Sequence, residues 1–154
     1  MLDNLDRQLL DALQRDAGRT ADELAGEVAL SPSALARRIR RLKSEGWIAK
    51  LVAIVSRKAT GDRVAALVLV QLDHHAPRQG LDRLREKLGG DPAVQWCAEV
   101  SGAFDMALIT DHRSMTEFGE WADRRLADDP TVRRYETSFV KRPIRFAPFV
   151  ALAE

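Results

Sequence analysis

Two stretches of this chain repeat one another. Leu88-Gly-Gly-Asp91-Pro92-Ala-Val94 and Leu126-Ala-Asp-Asp129-Pro130-Thr-Val132 share one plan: the last apolar residue of a helix, a breaker, and the start of a strand. Such an echo splits the surrounding residues into two equivalent halves. Val64 to Leu72 is short and almost wholly apolar, which predicts a strand buried on both faces. Leu81, Leu84 and Leu88 mark a helix, Val94 to Val100 a strand, Ser101-Gly102 a tight turn, and Phe104 to Thr110 a partner strand. Ser114-Met-Thr-Glu117 has the form of a capping box and opens a helix expected to bury Met115, Phe118, Ala122 and Leu126. Val132 to Val140 supplies a further strand. The order β-α-β-β-α-β is the split βαβ, or ferredoxin-like, arrangement. With both helices on one face, the other face of the sheet needs a cover, and a second subunit is the expected one.

Residues upstream of this repeat obey the helical period instead. Leu5, Leu9 and Leu13, flanked by Leu2 and Leu10, predict an amphipathic helix capped by Asp3 and ended by Gly18. Thr20-Ala-Asp-Glu23 is a second capping box, opening a short helix that buries Leu24, Ala25 and Val28. Ser31 then caps a third helix, Pro32 suits its first position, and Gly46 supplies a left-handed terminator. Leu35, Ile39 and Leu42 form its apolar stripe. At about 100° per residue Ser33, Arg37, Arg40, Arg41 and Ser44 face away, with Arg38 on the border. Two short helices joined by a tight turn, the second one basic, make a helix-turn-helix. Trp47 to Val55 is rich in β-formers and predicts a strand or short hairpin, the wing of a winged helix, with Lys50 placed for a phosphate. The polar run Ser56 to Asp62, containing Gly61, is the natural hinge.

Between Ser31 and Lys58 there are eight basic residues and one acid, Glu45, in a chain whose net charge is only +1. Clustered like charge is unfavourable for folding unless a polyanion is the partner. Residues 1–60 hold eleven Lys and Arg against eight Asp and Glu, and the remainder thirteen against fifteen, so positive potential is expected in the N-terminal part alone. This asymmetry predicts two domains with different tasks: 1–56 a winged helix-turn-helix, 57–63 a hinge, and 64–154 a ferredoxin-like domain, an α+β chain overall. The 154 residues contain one cysteine, Cys97, which excludes an intramolecular disulfide or a cysteine-rich zinc site. No run approaches the roughly 18 apolar residues of a membrane span, and the acidic start is unlike a targeting peptide. A cytoplasmic protein without membrane or cofactor is the expectation.

With both halves described, the chain resembles the leucine-responsive/asparagine-type (Lrp/AsnC, feast/famine) transcriptional regulators. The resemblance rests on Leu5-Asp6, Leu9-Leu10, Leu13-Gln14, Glu23-Leu24-Ala25, Leu30-Ser31-Pro32-Ser33, Arg38-Ile39-Arg40-Arg41-Leu42, Glu45-Gly46-Trp47-Ile48 and Val100-Ser101-Gly102-Ala103-Phe104-Asp105. It implies an effector, usually an amino acid, bound between subunits near Ser101, Gly102, Ala103, Phe104 and Asp105, with Thr137, Ser138 and Met115 as further matching positions. It also implies homodimers that assemble into tetramers, octamers or larger discs. Gly102 permits close backbone approach, and Asp105 suits an ammonium group.

The resulting expectation is a regulator of double-stranded DNA, not an enzyme, tuned by an amino acid or a related small molecule. Ser33, Arg37 and Arg41 are the candidates for base edges, because Arg can bridge guanine O6 and N7. Arg38, Arg40, Lys43 and Lys50 are assigned mainly to phosphates, with Ser31 at the helix start. A two-fold protein would read half-sites about 34–36 Å apart, or a multiple of that spacing. The alternatives are an effector-independent DNA-architectural protein and an Lrp-like tetrapyrrole (siroheme) decarboxylase. His74, His75 and His112 are the only histidines and show no ligand-spaced motif.

Overall fold

The computed structural model describes residues 1–147 and 149–152, the side chain of Arg57 excepted. Two compact units result: Met1–Ile54 together with the C-terminal segment from Ile144, and Val55–Pro143. In the first unit α1 spans Asn4–Arg15, α2 Ala21–Ala25 and α3 Pro32–Ser44. Asp3 caps α1, accepting from the Asp6 amide at 2.7 Å while the Asp6 carboxylate accepts from the Asp3 amide at 3.1 Å. Thr20 and Glu23 satisfy each other in the same way at α2, and Ser31 caps α3 through the Ala34 amide. Gly46 ends the segment at φ +77°, a conformation that costs a residue with a Cβ. Leu9, Leu24, Val28, Leu35 and Leu42 are buried at the centre of the three helices. Each is worth roughly 1.5–3 kcal/mol relative to exposure.

Residues Trp47 to Val55 depart from the expected strand or hairpin. The Trp47 and Ile48 amides fold back onto the Leu42 carbonyl at 2.9 and 3.2 Å, and residues 49–55 form no ladder. A β-former needs a neighbouring strand to bond to, and among the described residues the segment has none; Val52, Ile54 and Val55 stand exposed.

The C-terminal tail, which the 64–154 boundary puts with the sheet domain and whose apolar residues are expected on the sheet or on another subunit, groups with the helical unit. The Gln14 side-chain amide pairs with both backbone groups of Val150, donating at 2.9 Å and accepting at 3.0 Å. The Leu152 amide donates to Asp11, Leu152 packs on the helical core, and the Arg15 guanidinium lies 5.3 Å from the Phe149 ring centre. Ala153 and Glu154, the end of the expected 64–154 domain, lie outside the described residues.

In the second unit a short helix α4, Arg57–Thr60, precedes β1, Val64–Leu72. Next come α5 Arg78–Gly89, β2 Val94–Glu99, β3 Met106–His112, α6 Met115–Ala122 and β4 Val132–Phe139. The sheet order is β2-β3-β1-β4, antiparallel throughout, so the β-α-β-β-α-β reading describes the unit. Ala66, Val68, Val70, Met106 and Leu108 pack against Leu84, Leu88, Phe118, Trp121 and Leu126 of the helical layer. β1 is not buried on both faces, however. Ala66, Val68 and Val70 are buried while Leu67 and Leu69 are only half-buried, and Trp96, in register with Ile109 opposite Leu67, is 51% exposed. Met115, expected in the core, is 53% exposed, and Trp121 takes the buried position instead.

The repeat is realised atom for atom. The Ala93 and Thr131 amides donate to the Asp91 and Asp129 carboxylates at 2.9 and 3.1 Å, and the Val94 and Val132 amides to their carbonyls at 3.0 and 2.9 Å. Each Asp then pairs with a cation from the other half: Asp91 with Arg125 at 2.6 Å and Asp129 with Lys87 at 3.1 Å. Trp121 Nε1 adds a hydrogen bond to Asp91 at 3.2 Å.

Gly80 of α5 fits against the second turn. A Cβ there would lie 2.5 Å from Thr131 Cγ2, and Thr131 is held in place by its hydroxyl bond to Asp129. Gly80→Ala is expected to lower the unfolding free energy in denaturant titration by about 1–2 kcal/mol, overpacking outweighing a gain in helix propensity. Gly119→Ala, where a Cβ meets nothing within 4 Å, is expected to raise it by about 0.5–1 kcal/mol.

Candidate functional site

The arginine-rich helix separates into two faces. Arg37, Arg40 and Lys43 are exposed, and among the described residues none has a carboxylate partner. Ser33 stands beside them at the helix start, its hydroxyl 3.2 Å from that of the capping Ser31. Arg38 and Arg41 turn toward α1. Arg38 Nη1 bonds Asp3 at 2.6 Å and Asp6 at 2.7 Å, and Arg41 Nη2 bonds the other oxygen of Asp6 at 2.6 Å. Glu45 lies 3.8 Å from Arg41. Arg41, read from the sequence as a base-contacting residue, is therefore committed within the protein, and Arg38 with it. The helical wheel counted only neighbours on α3, whereas the carboxylates that claim these two arginines lie some 35 residues earlier. Arg37, Arg38 and Arg41 with Asp3 line an open cavity of about 310 Å³ at this junction. Lys50 is exposed beyond Gly46.

Asp6 is the centre of this arrangement, with a side chain only 1% exposed. Burial pushes its carboxyl up, but the hydrogen bonds from Arg41, the Asp3 amide and Arg38 outweigh that and hold it down to about 2. Sequence reasoning passed over Asp6 because an acid in the first turn of α1 reads simply as a capping residue. Its short spacing from Asp3 was the available signal.

The second group of predicted residues does not converge within one chain. In the loop between β2 and β3, Val100 N–H bonds the Asp105 carbonyl at 2.9 Å, Asp105 N–H bonds the Val70 carbonyl at 2.9 Å, and Asp105 Oδ2 accepts from Leu72 N–H at 2.8 Å. One carboxylate oxygen of Asp105 thus closes the end of β1. Ser101, Gly102 and Ala103 are exposed, with Gly102 at φ +153°. The Arg134 guanidinium covers the Phe104 ring at 5.0 Å and bonds Gln71 and Glu136, a neighbourhood that no sequence spacing announces. Met115 comes after β3 at the opposite end of the sheet, because Met106 pairs with Val70 and His112 with Val64. Thr137 lies across from buried Val68 with its hydroxyl buried and unbonded, while Ser138 lies across from Leu67 on the uncovered face.

His112 is buried against Phe118 and Trp121, and burial pushes its imidazole down. Burial pushes the Cys97 thiol up. Among the described residues no group of three His, Cys, Asp or Glu is placed to hold a metal ion, and no helix is long and apolar enough to cross a membrane.

A helix-turn-helix with free cations on its second helix, joined to a βαββαβ sheet domain, defines a two-domain DNA-binding regulator. Residues 2–49 match the winged helix-turn-helix DNA-binding model, and residues 65–146 match the Lrp/AsnC ligand binding domain. The chain belongs to the Lrp/AsnC family of transcriptional regulators. It is 34% identical to an HTH-type transcriptional regulator of Haemophilus influenzae over 90% of this chain and 82% of that protein. It is 31% identical to the transcriptional regulator AzlB of Bacillus subtilis over 91% and 88% of the two chains. A transcriptional regulator of Neisseria meningitidis solved with L-methionine superposes with a TM-score of 0.86 at 25% identity, covering 97% of this chain and 96% of the other. A feast or famine regulatory protein of M. tuberculosis, also complexed with L-methionine, gives 0.80 at 26% identity over 98% and 99%.

Because Asp6 is held at about 2 in the folded state and near 3.8 when unfolded, its contribution is complete above about pH 5 and lost as pH falls toward 2. Parent protein is expected to lose about 2 kcal/mol more than Asp6→Asn across that window, measured by urea unfolding.

Proposed function

We propose that this regulator reads DNA with one face of α3 and holds that helix in register with the other. Ser33 and Arg37 contact base edges in the major groove; Arg40, Lys43 and Lys50 contact phosphates; Arg38 and Arg41 lock α3 onto α1. The observation that carries this reading is the division of the arginines, two held by buried Asp6 and two left free on the outer face. A free guanidinium can engage guanine O6 and N7 without giving up an internal ion pair.

The sheet domain answers to an amino acid or a related small molecule, as the L-methionine bound by two structural relatives suggests. The uncovered face bearing Leu67, Leu69, Trp96 and Ile109 favours a homodimer, with further association to a tetramer or octamer. The Ser101–Asp105 turn of one protomer and Met115, Thr137 or Ser138 of another would then complete one effector site. Their separation within a single chain supports a shared site.

Gel-shift titration on the gene's own upstream DNA, with L-methionine and other amino acids added singly, tests the whole reading. A site-selective complex shifted by one amino acid supports it; binding indifferent to sequence and to every amino acid replaces it with an architectural role. Arg37→Ala is expected to cost about 1–3 kcal/mol on the specific site relative to random duplex. Lys50→Ala should weaken both duplexes alike and reduce the salt slope by roughly one unit. Arg41→Ala should instead lower the melting temperature of the helical unit, and an unchanged melting temperature with lost specificity would reverse its assignment.

A further inference from the structure

Residues 61–154 hold more acid than base, yet the fold gathers cations at one end of the sheet. β1 begins beside the end of β3, where Val64 pairs with His112, and beside the end of β4, where the Val140 amide bonds the Ala65 carbonyl at 2.8 Å. Arg113 after β3, and Lys141 and Arg142 after β4, therefore share that end, and Lys58 of α4 lies six residues before β1 begins. All four are exposed, and among the described residues none has its cationic group paired with a carboxylate. Two of the acids nearby are already paired, Asp111 with Arg63 and Asp91 with Arg125. Glu117, which accepts from the Arg113 backbone amide, and exposed Asp62 have no cationic partner among the described residues, so four cations stand against two acids.

We propose that this basic end of the sheet domain is a second DNA-contact surface, binding phosphates of the duplex whose bases the helical unit reads. The row covers β3, β1 and β4, about 10 Å at the usual strand spacing. The chain passes to and from the helical unit at Val55 and at Pro143, the latter one residue after Arg142. Lys58 lies four residues from Ile54 and Lys141 three from Ile144, no more than about 14 Å of extended chain. Unpaired surface cations without base-reading geometry add affinity and salt dependence but no sequence preference.

This inference rests on the DNA-binding reading, and the test separates the two. Lys58→Gln/Arg113→Gln/Lys141→Gln/Arg142→Gln, the parent, and Arg37→Ala are titrated with the upstream duplex and a random duplex between 50 and 200 mM salt. The quadruple variant is expected to lower the salt slope by at least about one unit on both duplexes, with their affinity ratio unchanged. Lys141→Arg/Arg142→Lys, which keeps the charge, is expected to bind like the parent. An unchanged slope in the quadruple variant overturns the proposal, as does an equal loss in the charge-keeping variant. Loss of binding to heparin or anionic vesicles with the DNA slope intact assigns the surface to another polyanion and also overturns it. A parent that binds neither duplex at 50 mM salt removes the regulator reading together with this one.

Discussion

The ionic knot at Asp6 is the interaction on which the DNA-binding unit depends. One buried carboxylate, aligned by its own capping box, binds Arg38 and Arg41 from a helix that is distant in sequence. Removing a carboxylate from water is costly, and the charge is tolerated only because each oxygen is fully engaged. The knot also has directional value that an apolar contact lacks. Two guanidinium groups one helical turn apart, fastened to one carboxylate, fix the rotation of α3 about its axis. That rotation decides which side chains point outward, and thereby presents Arg37 and Arg40. Of four arginines that look equivalent in the sequence, two are tied into the helical core and two are left for the DNA contact proposed above.

A comparable cross-tie organises the sheet domain. Its halves repeat, and each contributes an Asp-Pro turn whose carboxylate bonds the strand it starts and a cation of the opposite half. The exchange of Lys87–Asp129 for Arg125–Asp91 stitches the two βαβ halves together under the helical layer. The remaining sheet face stays apolar and uncovered. A domain built in this way is internally secure on one side and unfinished on the other, which suits the homodimer proposed above. The tail then returns to the helical unit, where the Gln14 amide meets Val150 as a backbone neighbour would.

Much of the fold was legible in the chain. Capping residues Asp3, Thr20, Ser31 and Ser114 announced four helix starts, and alternating strand and helix patterns around the repeat announced the βαββαβ order. These signals are local: a cap bonds an amide three residues away, and a turn is decided by its own few residues. Where the reading went astray, the missing partner was remote. Trp47 to Val55 has the composition of a strand but finds no strand to pair with among the described residues, and Met115 has the composition of core but stands exposed at the first position of its helix.

The candidate site divides along the same line. The sequence by itself determined that α3 would be amphipathic and basic, that Ser31 would start it and that Gly46 would end it, because periodicity and capping act within one turn. It also determined the paired Asp-Pro turns that frame the sheet. Only the tertiary structure decided that Arg38 and Arg41 belong to Asp6 while Arg37 and Arg40 stay free. Only it brought Arg113, Lys141 and Arg142 to one end of a domain with an acid excess. Coulomb attraction between side chains depends on distance in space, and sequence separation carries no information about that distance until the chain has folded.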